Sequence, residues 1–236
     1  MAYWKRFGFL YFLAAALCCA LALLAGDAVT ALSEGEALPR QTTIVIDPGH
    51  GGEDGGAVSC TGVQESELNL AVSLRLDALL HFLGYPTVLV RDSDTAIYGP
   101  GARTIAEKKV SDLKNRVALV NGVPEALLLS IHQNQFPDGK YAGAQVFYAA
   151  TPGSRELAEA MQGDFVTALN PGSRRRCKEA KNVYLMQHIR CTAVLVECGF
   201  LSNPGEEARL RDPAYQRQVA CVIAAAAARY LAGQTA

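Results

Sequence analysis

Asp47, His50, His132 and Glu197 stand where three apolar runs of this sequence break off. TTIVI leads into Asp47-Pro48-Gly49-His50, LLLSI leads into His132, and TAVLV leads into Glu197. Open α/β sheets bind ligands at the carboxyl ends of their strands, so three such ends can meet in one crevice. Glu65 adds a carboxylate at the start of a helical stretch, after the glycine-rich loop that begins at His50. It has a simpler reading, an acid favoured by the helix dipole, which Glu67 could serve equally. Two histidines and one carboxylate, His50, Glu65 and His132, make a catalytic zinc set with a fourth position open to water. Zn2+ in such a set lowers the pKa of that water and polarises a carbonyl. A second carboxylate, Glu197, can take the water's proton and hand it to a leaving nitrogen. The combination suits metal-assisted hydrolysis of an amide.

Other chemistries fit these residues less well. A phosphate-binding loop needs GxxxxGK[ST], and no lysine follows these glycines. A dinucleotide loop needs GxGxxG, whereas Gly49-His50-Gly51 runs into Gly52-Glu53-Asp54. No G-x-S-x-G elbow occurs. Cys198, beside Glu197, reads as a small packed cysteine rather than a thiol nucleophile. Of the four histidines, His81 falls late in an amphipathic helix and reads as structural. His188 lies in the polar stretch before the last strand, open between a loop surface, a substrate contact and a third metal neighbour. Asp47 either orients a ligand from behind or caps the turn.

The elements that must position these groups follow from periodicity. TIVI reads as a buried strand and Glu65 to Phe82 as a helix, with apolar residues at three- and four-residue spacing and Gly84 as its stop. TVLV (87–90), ALLLSI (126–131), AQVFYAA (144–150) and TAVLVE (192–197) read as further strands. Residues 107–121 read as a helix, Ser154 to Leu169 as another capped by Ser154, and Pro213 to Leu231 as a long terminal one. Strands alternating with helices predict an α/β domain with a mostly parallel sheet.

Half of the 236 residues are hydrophobic and under a fifth are charged, which excludes a disordered tail and allows one well-buried domain. A net charge of −1 supplies no overall field for nucleic acid. The basic run Arg174-Arg175-Arg176, with Lys178 and Lys181, reads as a solvated loop or as a contact for an anionic ligand. Seven cysteines without a CxxC pair are neither a zinc-cysteine set nor a disulfide framework. Lys5 and Arg6 precede an uncharged apolar run, Phe7 to Gly26, of about 20 residues, long enough to cross a bilayer. Residues 1–26 are predicted to be a signal anchor, with a cleaved signal peptide as the alternative. Residues 27–40 are predicted to be a linker and 41–232 a single catalytic domain on the exported side.

IVIDPGHGGEDGGA, ESELNLA, SIHQNQF and VLVECGFLSNPGEEARL resemble the zinc-dependent N-acetylmuramoyl-L-alanine amidases, the amidase type 3 family, over about Thr42 to Tyr230. The resemblance implies a three-layer α/β domain with a twisted, mixed sheet of about six strands flanked by helices. It implies one Zn2+ on His50, Glu65 and His132, Glu197 as the catalytic glutamate, and cleavage of the amide joining N-acetylmuramic acid to L-alanine in peptidoglycan. Asp47, Asn134, His188 and Arg116 are further candidates for contacts to the ligands or the substrate. AEKKVSDLKNRVALVN, TPGSRELAE and LNPGSRRRCKEAKNVYLMQH are similar to the germination-associated, spore-cortex branch. That implies muramic-δ-lactam formation together with a polysaccharide deacetylase, a lipoprotein activator, and a place on the outer face of the forespore membrane, or secretion if the leader is cleaved. The sequence departs from the family pattern with Ser66 after Glu65, where lysine is common, and with Cys191-Thr192 where a proline often precedes the last strand. The rival expectations are an inactive membrane-tethered peptidoglycan-binding module and a zinc carboxypeptidase or deacetylase on the same polymer.

Overall fold

The computed structural model describes residues 41–234. The apolar run at 7–26 and the linker at 27–40 lie outside the described residues, among which no helix is long and apolar enough to cross a membrane.

Six strands form one sheet: β1 (Thr43–Pro48), β2 (Thr87–Leu89), β3 (Ala126–Asn134), β4 (Gln145–Tyr148), β5 (Lys178–Glu179) and β6 (Thr192–Phe200), in the order β2-β1-β3-β6-β4-β5. β2, β1, β3 and β6 pair in parallel, β4 runs antiparallel to β6, and β5 runs parallel to β4. The sheet is therefore mixed, with four parallel strands running from the β2 edge to β6 and the reversed pair β4 and β5 beyond them. Leu127, Leu128 and Leu129 are all buried, which is why β3 reads as an unbroken apolar run. Burying a side chain of that size contributes about 1.5–3 kcal/mol.

The helices are α1 (Glu65–Phe82), α2 (Ile105–Gly122), α3 (Ser154–Ala168), α4 (Tyr184–His188), α5 (Pro204–Arg211) and α6 (Pro213–Gln234). Leu68, Val72, Leu76 and Leu80 of α1 pack on Ile44, Ile46, Leu127, Leu129 and Ile131, together with α3 and α6. Val120 of α2 and Leu185 and Met186 of α4 pack on the other face, against Val45, Leu128 and Leu195. Helices thus cover both faces of the sheet.

Local chemistry explains where the elements differ from the sequence reading. α2 begins two residues earlier than periodicity suggests, because Thr104 and Glu107 form a capping box at its amino end. Ser154 is the first residue of α3 rather than its cap, and the cap is Gly153 at φ 76°. Ser154 Oγ accepts instead from the Ala193 amide at 2.8 Å, which ties the helix to β6. α5 is short and charged, with no apolar periodicity to announce it. Its signal is chemical: Asn203 accepts from the Gly205 and Glu206 amides ahead of Pro204 at the first turn. β6 runs on to Phe200 because Leu201 N donates to the Asn134 carbonyl at 2.8 Å, past a register irregularity between His132 and Asn134.

Candidate metal centre

Strand register puts the site together. β1 pairs with β3 so that Asp47 faces Ser130, and β3 pairs with β6 so that His132 faces Glu197. After β1 the chain turns off the sheet with His50 at φ 61°, a left-handed conformation that non-glycine residues rarely hold. Gly51 and Gly52 follow at φ 136° and 58°. The turn carries His50 toward the amino end of α1, where Glu65 waits.

His50, Glu65 and His132 bring one ligand atom each to within 4.8 Å of one another. The Glu65 carboxylate is the hub. Oε1 lies 3.0 Å from His132 Nδ1 and accepts from the Gln133 amide at 3.1 Å and Asn69 Nδ2 at 3.2 Å. Oε2 lies 3.3 Å from His50 Nε2 and accepts from the Ala57 amide at 3.0 Å. Glu67, the alternative at the same helix start, is exposed. Burial would raise the Glu65 carboxyl, but the two imidazoles outweigh it and hold it far below the usual range. Burial would likewise lower His50, yet hydrogen bonds with Asp54 and Glu65 hold its pKa up at about 9. Two close approaches shape the cluster. A Cβ on Gly49 would strike the His132 ring, and one on Gly56, itself at φ 69°, would come within 2.6 Å of Glu65 Oε2 and 2.7 Å of His50 Cδ2.

Glu197 closes the site from β6. Its Oε2 is buried with no hydrogen-bond partner. Burial raises its pKa to about 7, the attraction of His132 and His50 notwithstanding, and the charge of Glu65 adds to the rise. Cys198, by contrast, is buried and its thiol is pushed up by that burial, so it offers no thiolate. The five cysteines in the described residues are all unpaired.

The other candidates divide. Asp47 does not touch His50. It is buried, accepts from Arg116 Nη1 at 2.5 Å and from Ser130 Oγ at 2.7 Å, and these partners lower its pKa against the effect of burial. Arg116 in turn donates to the Pro48 carbonyl at 2.9 Å and the His50 carbonyl at 2.7 Å, so Asp47 acts on the strained turn through Arg116. Asn134, half-buried at the end of β3, anchors β6 through its carbonyl. His188 is not brought to the cluster. Its ring stacks on Tyr184 at 4.0 Å and its carbonyl accepts from Asn121 near the end of α2. It is the exposed last residue of α4, not a loop residue, and precedes β6, whose far part carries Glu197, so it lies away from the cluster.

Sequence reading missed two groups. Asp54 Oδ2 lies 3.0 Å from His50 Nδ1, leaving Nε2 to face Glu65, the arrangement by which a carboxylate fixes a ligand imidazole. Arg91 is buried and donates to the carbonyls of Pro48, Gly49 and Ser66, which sews the His50 turn to α1. Its signal was available: it too stands at a strand end.

Asp47→Asn is expected to lower unfolding free energy by about 3 kcal/mol, because it leaves a buried guanidinium short of a partner. Asp112, 2.6 Å from Arg116 Nε, keeps the loss from being larger. Denaturant unfolding checks this, and a change under about 1 kcal/mol would show that the pair is not structural.

A crevice at the carboxyl ends of the parallel strands, with two imidazoles and a carboxylate converging beside a half-buried glutamate, gives this α/β domain a candidate hydrolytic site able to hold a metal. The family described as N-acetylmuramoyl-L-alanine amidase matches residues 44–229, and the chain belongs to it. Enzymes of this family hydrolyse the amide between N-acetylmuramic acid and L-alanine in peptidoglycan, and that is the activity of this protein. The chain is 37% identical over 188 residues to the germination-specific N-acetylmuramoyl-L-alanine amidase of Bacillus subtilis, covering 79% of this chain and 78% of that protein. Its fold matches the CwlD amidase of Clostridioides difficile, solved in complex with the GerS lipoprotein. The TM-score is 0.78 at 34% identity, over 81% of this chain and 99% of that one. A second amidase, from Clostridium difficile 630, matches with a TM-score of 0.70 at 33% identity, over 81% and 97% of the two chains.

Proposed function

We propose that the amidase is zinc-dependent, that His50, Glu65 and His132 hold the ion, that Glu197 moves the proton, and that the substrate is spore-cortex peptidoglycan. The observation that carries the metal reading is the convergence of three ligand atoms within 4.8 Å. The donor set fits zinc: two nitrogens and a carboxylate, with Asp54 behind one imidazole. Zinc held there supplies Lewis acidity for a carbonyl and a water.

The chain's own residues do the rest. Hydrolysis bonds the water oxygen to the lactyl carbonyl carbon, breaks the C–N bond and needs one proton moved from water to the alanine nitrogen. Glu197 is suited to that transfer, with an unpartnered carboxylate oxygen and a pKa of about 7. The Arg91 and Arg116 bonds to the turn carbonyls keep His50 in place while substrate binds. Likeness to the germination-specific amidase supports the cortex role, which entails muramic-δ-lactam formation with a polysaccharide deacetylase. The complex of the CwlD relative with a lipoprotein supports a lipoprotein partner for this protein, in the role of an activator. The apolar run at 7–26 supports anchoring at the outer face of the forespore membrane.

Full-chain protein incubated with cortex peptidoglycan should release stem peptides with a new free amine on alanine, leaving N-acetyl groups intact in mass spectra of the digest. A chelator should abolish this and zinc should restore it. Release of acetate, or of a carboxy-terminal amino acid, would favour a deacetylase or carboxypeptidase instead. Wall binding with no release, even with zinc and the lipoprotein supplied, would leave a binding module.

A further inference from the structure

Beside Glu197 the sheet edge carries a cationic groove. Gln145 of β4 pairs in register with Glu197. The segment after α3 lies against Gln145: Gln145 Nε2 donates to the Arg176 carbonyl at 2.5 Å, and Arg175 Nη1 donates to Gln145 Oε1 at 3.3 Å. Arg175 Nε also donates to the Ala142 carbonyl at 2.8 Å. The guanidinium lies 4.6 Å from the ring centroid of Phe200, three residues beyond Glu197 on β6. Lys140, Tyr141, Gln145, Arg174, Arg175 and Arg176 line a groove of about 690 Å³.

Arg175 is thus half-buried, held by two neutral oxygens and an aromatic face, and its charge has no counter-ion. Among the described residues no carboxylate forms an ion pair with Arg174, Arg175 or Arg176, whereas Lys140 is paired to Asp138 at 2.6 Å. A guanidinium pre-positioned by packing and left unpaired is suited to a planar carboxylate. We propose that this groove binds a carboxylate on the stem-peptide side of the substrate and so selects which peptides are cut. The proposal rests on the amidase reading. The lactyl group of the sugar being cut is tied up as an amide and carries no carboxylate, so within the unit being cut the anion comes from the peptide, beyond alanine.

The test uses full-chain protein and two synthetic muramyl-alanyl peptides that differ only in whether the residue after alanine carries a free α-carboxylate or a primary amide. Wild-type protein is expected to favour the carboxylate about tenfold in kcat/KM, mainly through KM. Arg175→Gln should bring that ratio close to one, and Arg175→Lys, which keeps the charge, should retain part of it. A ratio unchanged in Arg175→Gln, or equal losses on both substrates, would overturn the proposal and reduce Arg175 to a structural role. Calorimetric binding of the free-acid peptide separates the two readings. If neither substrate is cut but Arg175→Gln still loses about tenfold in binding, the groove stands and the amidase reading falls. Equal binding of the acid and amide peptides by wild-type protein sinks the groove.

Discussion

Glu197→Ala is expected to lower kcat by about 10²- to 10⁴-fold with the metal content of the protein unchanged. That range corresponds to about 2.7–5.5 kcal/mol of transition-state stabilisation. The expectation follows from placement. Glu197 faces His132 across the β3–β6 pair, so it stands beside the metal cluster, yet the Glu65 contacts to both imidazoles run without it. Its Oε2 has no partner inside the protein, so no hydrogen bond within the fold is lost at that atom when the side chain is cut back. A buried carboxylate oxygen without a partner is itself unfavourable, and thermal stability should hold or rise in the variant. Glu197→Gln should be as slow as the alanine variant, since the amide keeps the shape and cannot accept the proton. Stem-peptide release measured beside metal analysis and thermal melts separates the roles. Full turnover in either variant removes Glu197 from the chemistry, and loss of metal together with turnover makes it part of the binding cluster instead.

The architecture and the convergence of the cluster were legible because both rest on strand ends. Parallel strands buried on both faces leave continuous apolar runs, and the polar residue that stops each run marks the same edge of the sheet. His132 and Glu197 are therefore assignable to one crevice from the sequence, whereas their direct pairing across β3 and β6 is not. What could not be read was anything that depends on two distant segments packing. Asp47 looked like a partner for the nearby His50, but Arg116, on a helix of the opposing layer, takes its carboxylate. Arg91 stands at a strand end, but its bonds go to backbone carbonyls, so its residue type could not say what it holds. β5 has two residues and α4 five, too few for any periodicity to accumulate. His188, open in the sequence between a surface role and a site role, is exposed at the end of α4, ahead of the strand whose far part bears Glu197.

Glu65→Gln is expected to weaken metal binding by well over about 100-fold, since loss of a group that merely supports a ligand already weakens binding about 10–100-fold. Glutamine keeps the length of the side chain and can still accept from the Gln133 and Ala57 amides through one oxygen at a time. The fold should persist, whereas Glu65→Ala would strand both amides at about 1–3 kcal/mol each. The variant also has a signature in pH. A histidine binds metal only when neutral, and in the metal-free protein Asp54 and Glu65 together hold the His50 proton up to about pH 9. Metal uptake by the wild-type protein should therefore release protons, and its affinity should climb with pH until about 9. In Glu65→Gln one of the two carboxylates that retain the proton is gone, so the climb should level off at lower pH even as the affinity falls throughout. Zinc titrations across pH, read by proton release as well as by affinity, test this directly. An unshifted plateau would mean that Asp54 alone sets the His50 proton, and an undiminished affinity would remove Glu65 from the ligand set.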